Sequence, residues 1–200
     1  MELVQQVSFT PLFEFEASLA EYTGAPFAVV TDCCTHAIEL CMRIDNVKVT
    51  DFTAFTYLSI PQLMHNLDID FRLTGERWVG EYQFHGTNTW DSARRLERDM
   101  YRRGQKQCLS FGNTKPLQLG RCGAILLDNI EEYRTLSRMR SDGRDLRQDP
   151  WQDYPISKGY HYCPTLETCE LGLQKLHTID ERPKYQEYPD CRMLTWDPPQ

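Results

Sequence analysis

Apolar residues along the chain alternate between the three-to-four-residue spacing of a helix and short continuous runs typical of buried strands. The first helical pattern stops at Gly24, a residue type that often ends a helix, and the β-branched run FAVVT follows it. Extended along the chain, these two patterns predict helices at 12–22, 35–44, 56–67, 92–103, 130–143 and 165–180. They predict strands at 27–31, 47–52, 68–73, 88–91, 107–111 and 123–128.

Strands that alternate with helices predict an α/β fold with a mostly parallel central sheet flanked by helices. We expect residues 1–182 to form one domain and residues 183–200, which include four prolines, to form an irregular tail. Ligands of such folds bind at the carboxyl ends of the strands. Residues at the ends of the predicted strands, or shortly after them, are therefore candidates for a site: Thr35, His36, Tyr57, Asp91, Ser110 and Lys115.

The composition excludes several classes of partner. The 200 residues carry a net charge of −7, which argues against nucleic acid and against an anionic membrane surface. No apolar run approaches the roughly 20 residues that span a bilayer, and the first residues lack the pattern of a signal peptide, so a cytoplasmic protein is predicted. The eight cysteines include no C-x-x-C pair and the histidines show no metal-ligand spacing, which predicts free, mostly buried thiols and no metal site.

The candidate residues have complementary chemistry. A helix that starts near Thr35 and His36 offers backbone N–H groups to a phosphate, and Ser110 adds a hydroxyl. Tyr57 offers an aromatic face to a flat ring, and Asp91 offers a carboxylate to a protonated ring nitrogen. Lys115 offers an amine that can form a Schiff base. A phosphate, a flat ring, a carboxylate partner and a reactive lysine together indicate pyridoxal 5'-phosphate (PLP).

Each of these residues also has an ordinary structural explanation. An Asp before a helix is most often a cap, and a Tyr with helical spacing is most often part of a core. A single Lys in a turn is most often solvated. The order and spacing of the whole set are what favour a site.

Four segments carry a resemblance to a known family. They are FEASLAEYTGAPFAVVTDCCTHAIEL, FTYLSIPQLM, TWDSARRL and SFGNTKPLQLGRCGAILLDN. In this order, and with RTLSRMRSDGRD and KGYHYCPTLETCELGLQKLHTID after them, they resemble the DegT/DnrJ/StrS family of fold-type I, PLP-dependent sugar aminotransferases, from residue 11 to about 180. The resemblance implies an aspartate aminotransferase-like large domain, a homodimer, and amino transfer from an amino acid to a ketosugar, commonly nucleotide-linked. It also implies that the family's C-terminal small domain is missing from this shortened chain.

The resemblance assigns a role to each position. Lys115 would carry the Schiff base, Asp91 would meet the ring nitrogen, and Tyr57 would stack on the ring. The phosphate would be held by Thr35, the amide of His36, and Ser110.

The sequence departs from the family pattern at several of its motif positions. Cys33 and Cys34 replace a Ser-Gly pair, so a side chain could crowd the approach to the phosphate. Arg94 replaces a Gln that contacts the ring hydroxyl, and His161 replaces an Asn that often reaches a neighbouring subunit's cofactor. These changes leave two alternatives open: a non-catalytic relative that acts as a binding or regulatory module, and other PLP chemistry such as dehydration or racemisation.

Overall fold

The computed structural model of the chain describes residues 8–149, 156–179 and 187–194. The helices of these residues are α1 Thr10–Thr23, α2 Cys34–Ile44, α3 Ser59–Asn66, α4 Ile130–Arg140 and α5 Leu166–Lys175. The strands are β1 Phe27–Thr31, β2 Val49–Thr53, β3 Asp70–Thr74, β4 Tyr82–Gln83, β5 Thr89–Asp91, β6 Lys106–Ser110 and β7 Gly123–Leu127. Two 3-10 turns, Leu176–Thr178 and Cys191–Met193, complete the set.

The elements form a central sheet with helices on both faces. Five strands pair in the order β1-β7-β6-β5-β4, and β2 and β3 form a separate parallel pair. Successive residues of a strand point to opposite faces, so Val30 packs with α1 and α5 while Val29 packs with α2, α3 and α4. The predicted α/β class with a flanked central sheet is confirmed.

The predicted strand direction is wrong for the central sheet. Of the four strand pairs in this sheet, β5–β6 is parallel, while β1–β7, β6–β7 and β4–β5 are antiparallel. A parallel neighbour needs a crossover of about a dozen residues or more, usually with a helix. The 84–88 connection is too short for a crossover, and the 111–122 connection folds back as the turn that carries Lys115. Strand β4, which the sequence patterns do not predict, pairs with β5 across the first of these short connections.

The predicted amphipathic helix at 92–103 is absent, and these described residues form turns. Their backbone N–H groups bond to other elements: Arg94 N donates to the carbonyl of Gly80, and Tyr101 N donates to the carbonyl of Thr23. Arg95 and Arg102 both pair with Glu81, whose side chain is only 8% exposed. The charges of this segment therefore bind a buried carboxylate instead of facing water, which a pattern of charges cannot reveal.

The remaining contacts fix the outer elements. Gly24 ends α1 with a left-handed backbone at φ 72°, and Thr165 caps α5, as predicted. The buried guanidinium of Arg140 in α4 binds Glu16 in α1 at 2.7 Å.

All eight cysteines are free and six are buried, which confirms the prediction for the thiols. Among the described helices none is both long and apolar enough to cross a membrane.

Candidate active site

A cavity of about 630 Å³ opens where β1, β5 and β6 end. The structure brings seven of the eight predicted site residues to its wall, and they are Thr35, His36, Tyr57, Asp91, Arg94, Ser110 and Lys115. These residues come from four separate stretches of the chain. Their meeting at the strand ends is the geometry that the ligand rule for α/β folds leads us to expect.

The eighth residue, His161, lies outside this cavity. Its side chain is 90% exposed, and its Nδ1 lies 3.0 Å from Oδ2 of Asp142. Its contact with a neighbouring subunit's cofactor stays a prediction.

The N-terminus of α2 forms one end of the cavity. The helix begins at Cys34, and Cys33 before it is extended and makes no capping hydrogen bond with its side chain. The N–H groups of a helix's first turn have no partner within the helix, and they carry the positive end of its dipole. Thr35 and Ser59 share a hydrogen bond of 2.7 Å between their hydroxyls. This end can therefore bind an anion.

Three charged side chains at the same end carry net positive charge. Nδ1 of His36 lies 2.6 Å from Oδ1 of Asp32, and Arg121 donates to the other carboxylate oxygen at 3.0 Å. Burial opposes the charge on His36, but the bonds to Asp32 and Cys33 outweigh it and raise the pKa of His36 to about 9. Burial by itself raises the pKa of Asp32, but the contacts with His36 and Arg121 outweigh it, and the pKa of Asp32 is lowered.

Protonation decides what this cluster can bind. Ligand atoms of Asp32, Cys33 and His36 lie within 4.8 Å of one another. A protonated imidazole has no free lone pair for a metal ion, and the guanidinium of Arg121 holds the carboxylate. The cluster suits an anion better than a cation.

Asp91 forms the buried floor of the cavity and is 4% exposed. Its Oδ1 accepts a hydrogen bond from the backbone N–H of Ala93, and its Oδ2 accepts one from the hydroxyl of Tyr82, both at 2.9 Å. Burial raises the pKa of Asp91, while the Ala93 amide and the charge on Lys115 oppose this rise. The Lys115 charge thus acts directly on this carboxylate, and a cation placed beside Asp91 would be stabilised in the same way.

Lys115 sits in a tight turn between β6 and β7. Its backbone N–H donates to the carbonyl of Gly112 at 2.9 Å, and Leu119 N donates to the carbonyl of Phe111 at 2.7 Å. These bonds close the loop and direct the lysine side chain into the cavity, where its Nζ donates to the hydroxyl of Tyr188 at 2.9 Å. A lysine held in this way differs from the solvated lysine that a turn usually carries.

Arg94 lies beside Lys115 and is 5% exposed. Its Nη1 donates to the carbonyl of Thr114 at 3.0 Å, and its Nε donates to the hydroxyl of Tyr188 at 3.1 Å. The guanidinium is therefore fixed against the turn that carries Lys115.

Sequence reasoning missed several residues of the wall. Tyr82 supports Asp91, Trp78 lines the cavity, and Tyr188 reaches it from the C-terminal segment. Tyr82 stands directly opposite Asp91 in the β4–β5 pair, a register that would have identified it had β4 been predicted. Tyr188 lies 73 residues beyond Lys115 in the chain, and no spacing signals their contact.

Comparison with known proteins points to one family. The sequence model of the DegT/DnrJ/EryC1/StrS aminotransferase family matches residues 9–68. This match confirms the resemblance to the family over those residues. No curated protein sequence matches the chain significantly.

Solved structures show the same fold. 3-Amino-5-hydroxybenzoic acid synthase is 19% identical, with a TM-score of 0.70 over 86% of this chain and 56% of its own. The sugar aminotransferase CalS13 from Micromonospora echinospora is 16% identical, with a TM-score of 0.68 over 86% and 61%. The PLP form of Spr1654 from Streptococcus pneumoniae is 16% identical, with a TM-score of 0.67 over 84% and 59%. The chain spans less than two thirds of the length of each of these proteins.

The strands next to the start of α2 accommodate Cys33 and Cys34, the two cysteines that depart from the family pattern. The Sγ of Cys34 lies 3.6 Å from the carbonyl oxygen of Cys108 and donates to it, so its thiol is directed at β6. Gly123 of β7 packs against the backbone of Cys33 and Cys34 so closely that a Cβ there would lie 2.5 Å from their atoms. A glycine on the neighbouring strand thus provides the space for the start of α2.

Proposed function

We propose that this chain is a PLP-dependent aminotransferase in which Lys115 is the residue that attaches the cofactor. The observation that carries the proposal is one cavity with a buried carboxylate, a lysine amine and a helix N-terminus on its wall. The family match to residues 9–68 and the fold shared with sugar aminotransferases support it.

The residues present fit PLP. The N-terminal amides of α2, Thr35 and the hydroxyl of Ser110 would hold the phosphate, with the charge of His36 and Arg121 nearby. Tyr57 would lie against the ring from the rim, where its side chain is 64% exposed. Asp91 would hold a proton on the ring nitrogen, because a carboxylate in a buried site stabilises a neighbouring cation strongly. Arg94 would donate to the ring hydroxyl.

Bound PLP supplies an electron-withdrawing ring, which lets an amino group pass between two carbonyl carbons. Lys115 then has two tasks. Its Nζ would hold the cofactor between turnovers, and as a free amine it would take a proton from the substrate carbon and return it, as general base and acid.

We propose a nucleotide-linked ketosugar as the acceptor of the amino group and an amino acid as its donor. The family whose sequence model matches residues 9–68 is an aminotransferase family, and CalS13, which shares the fold, is a sugar aminotransferase. The cavity of about 630 Å³ has room for a ring and a small substrate together.

The test is a visible spectrum with added PLP. Wild-type protein should develop an absorbance band that borohydride removes, leaving PLP covalently on Lys115 by mass spectrometry. Lys115→Ala should lack the band, and Lys48→Ala, a change at an exposed lysine, should keep it. Asp91→Asn should keep the band and lose most of the amino-transfer rate. A wild-type protein without a band at saturating PLP would refute the proposal.

A second candidate function is PLP binding without turnover. The two cysteines at the phosphate end of the cavity, Cys33 and Cys34, favour it, because they stand where the family pattern has a Ser-Gly pair. A band on Lys115 that no amino acid changes would select this function. Conversion of the band by an amino acid without amino transfer would select other PLP chemistry.

We further propose that the chain acts as a cytoplasmic homodimer, with residues 1–182 as the cofactor-binding domain. Apolar side chains at the cavity side are exposed, namely Tyr57 at 64%, Leu58 at 45% and Val79 at 64%. A second copy could cover them and complete the site. Sedimentation should give twice the mass of 23.5 kDa, and a monomer with bound PLP would exclude the homodimer.

A further inference from the structure

Residues 187–194, which we name the C-terminal strap, are attached to the loop that carries Tyr57. The backbone N–H of Cys191 donates to the carbonyl of Ala54 at 2.9 Å, and Phe55 and Asp190 form an isolated β-bridge. The Cys191 side chain is fully buried, and its Sγ donates to the carbonyl of Thr56 at 3.5 Å. Asp190 and Cys191 therefore fix the strap to residues 54–56, beside the cavity.

The strap places one side chain in the cavity wall. Tyr188 is 8% exposed, and its ring stacks on Trp78 with the centroids 5.8 Å apart and an angle of 16° between the planes. Its hydroxyl oxygen accepts hydrogen bonds from Nζ of Lys115 at 2.9 Å and from Nε of Arg94 at 3.1 Å. A phenol oxygen has two lone pairs, so these two donors use its whole capacity as an acceptor.

Such an acceptor has a specific effect on a lysine. The amine stands on a flexible stem of four carbons, and free rotation spreads its position over several rotamers. A fixed oxygen at hydrogen-bond distance selects one of them. The oxygen is itself fixed, because Trp78 holds the ring and Arg94 holds the hydroxyl.

We propose that Tyr188 is a positioning residue for Lys115 and that the C-terminal strap closes the site over this amine. The inference rests on the proposed function, because Lys115 needs a fixed position only if it reacts. Among the described residues, Tyr188 is the one residue beyond position 122 that lines the cavity, and it belongs to the strap.

The first test is the rate at which PLP attaches to Lys115, followed by stopped-flow absorbance. Tyr188→Phe keeps the ring on Trp78 and removes only the hydroxyl. We expect its rate constant to fall by about tenfold, which corresponds to the net contribution of one hydrogen bond that positions the amine. The thermal midpoint without PLP should fall slightly, because Arg94 loses an acceptor, so both rates are measured well below that midpoint. Tyr133→Phe, which removes an exposed hydroxyl bonded to Arg147, should attach PLP at the wild-type rate. An unchanged or faster rate in Tyr188→Phe overturns the positioning role.

The second test needs no cofactor. Limited acetylation of the unliganded protein, read by mass spectrometry, compares Lys115 with the exposed Lys48 in one sample. Tyr188→Ala uncovers the amine, so acetylation of Lys115 relative to Lys48 should rise several-fold, whereas Tyr188→Phe, which keeps the ring in place, should leave it near the wild-type value. No rise in Tyr188→Ala overturns the closure. This arm remains informative if PLP does not bind at all, so failure of the proposed function is distinguishable from failure of the strap.

Discussion

The hydroxyl of Tyr82 donates a 2.9 Å hydrogen bond to Oδ2 of Asp91, and the two residues stand opposite each other in the β4–β5 pair. The same hydroxyl lies 2.7 Å from Oγ1 of Thr56 and accepts from it. A short antiparallel hairpin thus supplies a donor to the buried carboxylate at the floor of the cavity.

Tyr82→Phe should destabilise the protein by about 1–3 kcal/mol at neutral pH, because it leaves a buried carboxylate oxygen without its donor. The bond to Tyr82 lowers the pKa of Asp91, which burial otherwise raises, so its loss raises the pKa further. A folded-state pKa above the unfolded value makes the charged form unfavourable, so the cost should shrink as the pH falls towards about 4. Urea unfolding of wild type and variant between about pH 4 and pH 7 measures this. A loss of stability that does not vary with pH would show that the Tyr82 hydroxyl does not affect the ionisation of Asp91.

Arg140→Met should destabilise the protein by about 3–5 kcal/mol, since it leaves the Glu16 carboxylate buried without its partner. Both side chains are almost fully buried, at 1% for Arg140 and 5% for Glu16. The double variant Glu16→Gln/Arg140→Met should recover part of that loss, because it buries no charge. A double-mutant cycle from urea unfolding checks both points. If the double variant is less stable than Arg140→Met, the ion pair is not the source of the effect.

Gly123→Ala should destabilise the start of α2 and weaken anion binding there. The added Cβ would lie 2.5 Å from backbone atoms of Cys33 and Cys34, which cannot move without shifting the first turn. Overpacking of this kind costs about 1–3 kcal/mol. The matched control is Gly75→Ala, whose Cβ would meet only the far end of Arg192 at 3.7 Å. Thermal unfolding and phosphate affinity by calorimetry should change in the first variant and hold in the control.

The pair of His36 and Asp32 predicts a loss of stability in mild alkali. Because the pKa of His36 is raised to about 9 in the folded state, its contribution is complete below the ordinary value of about 6.5 and is lost as the pH rises to about 9. His36→Gln should flatten the dependence of the unfolding free energy on pH in this window. His177→Gln, at an exposed position of the surface, should keep the wild-type slope. Equal slopes in wild type and His36→Gln would contradict the assignment.

Local patterns in the sequence predict most of the elements. The strand 27–31 and the predicted helix 35–44 lie within a residue of β1 and α2, because an apolar run and a helical spacing are properties of neighbouring residues. The strand-end rule then placed Lys115, Asp91 and Ser110 on one cavity without any knowledge of the sheet's order. The sequence by itself thus determined the class of the fold and predicted six residues that line one cavity, and the family resemblance added a seventh, Arg94.

Only the tertiary structure decided the direction of the strands, the path of residues 92–103 and the contact between Tyr188 and Lys115. Each depends on partners far apart in the chain. The charges of Arg95 and Arg102 predict a solvated helix until Glu81 is known to lie beneath them. The hydroxyl of Tyr188 meets Lys115 because the strap pairs with the β2–α3 connection, and backbone hydrogen bonds of that kind leave no periodic trace in the residues that make them.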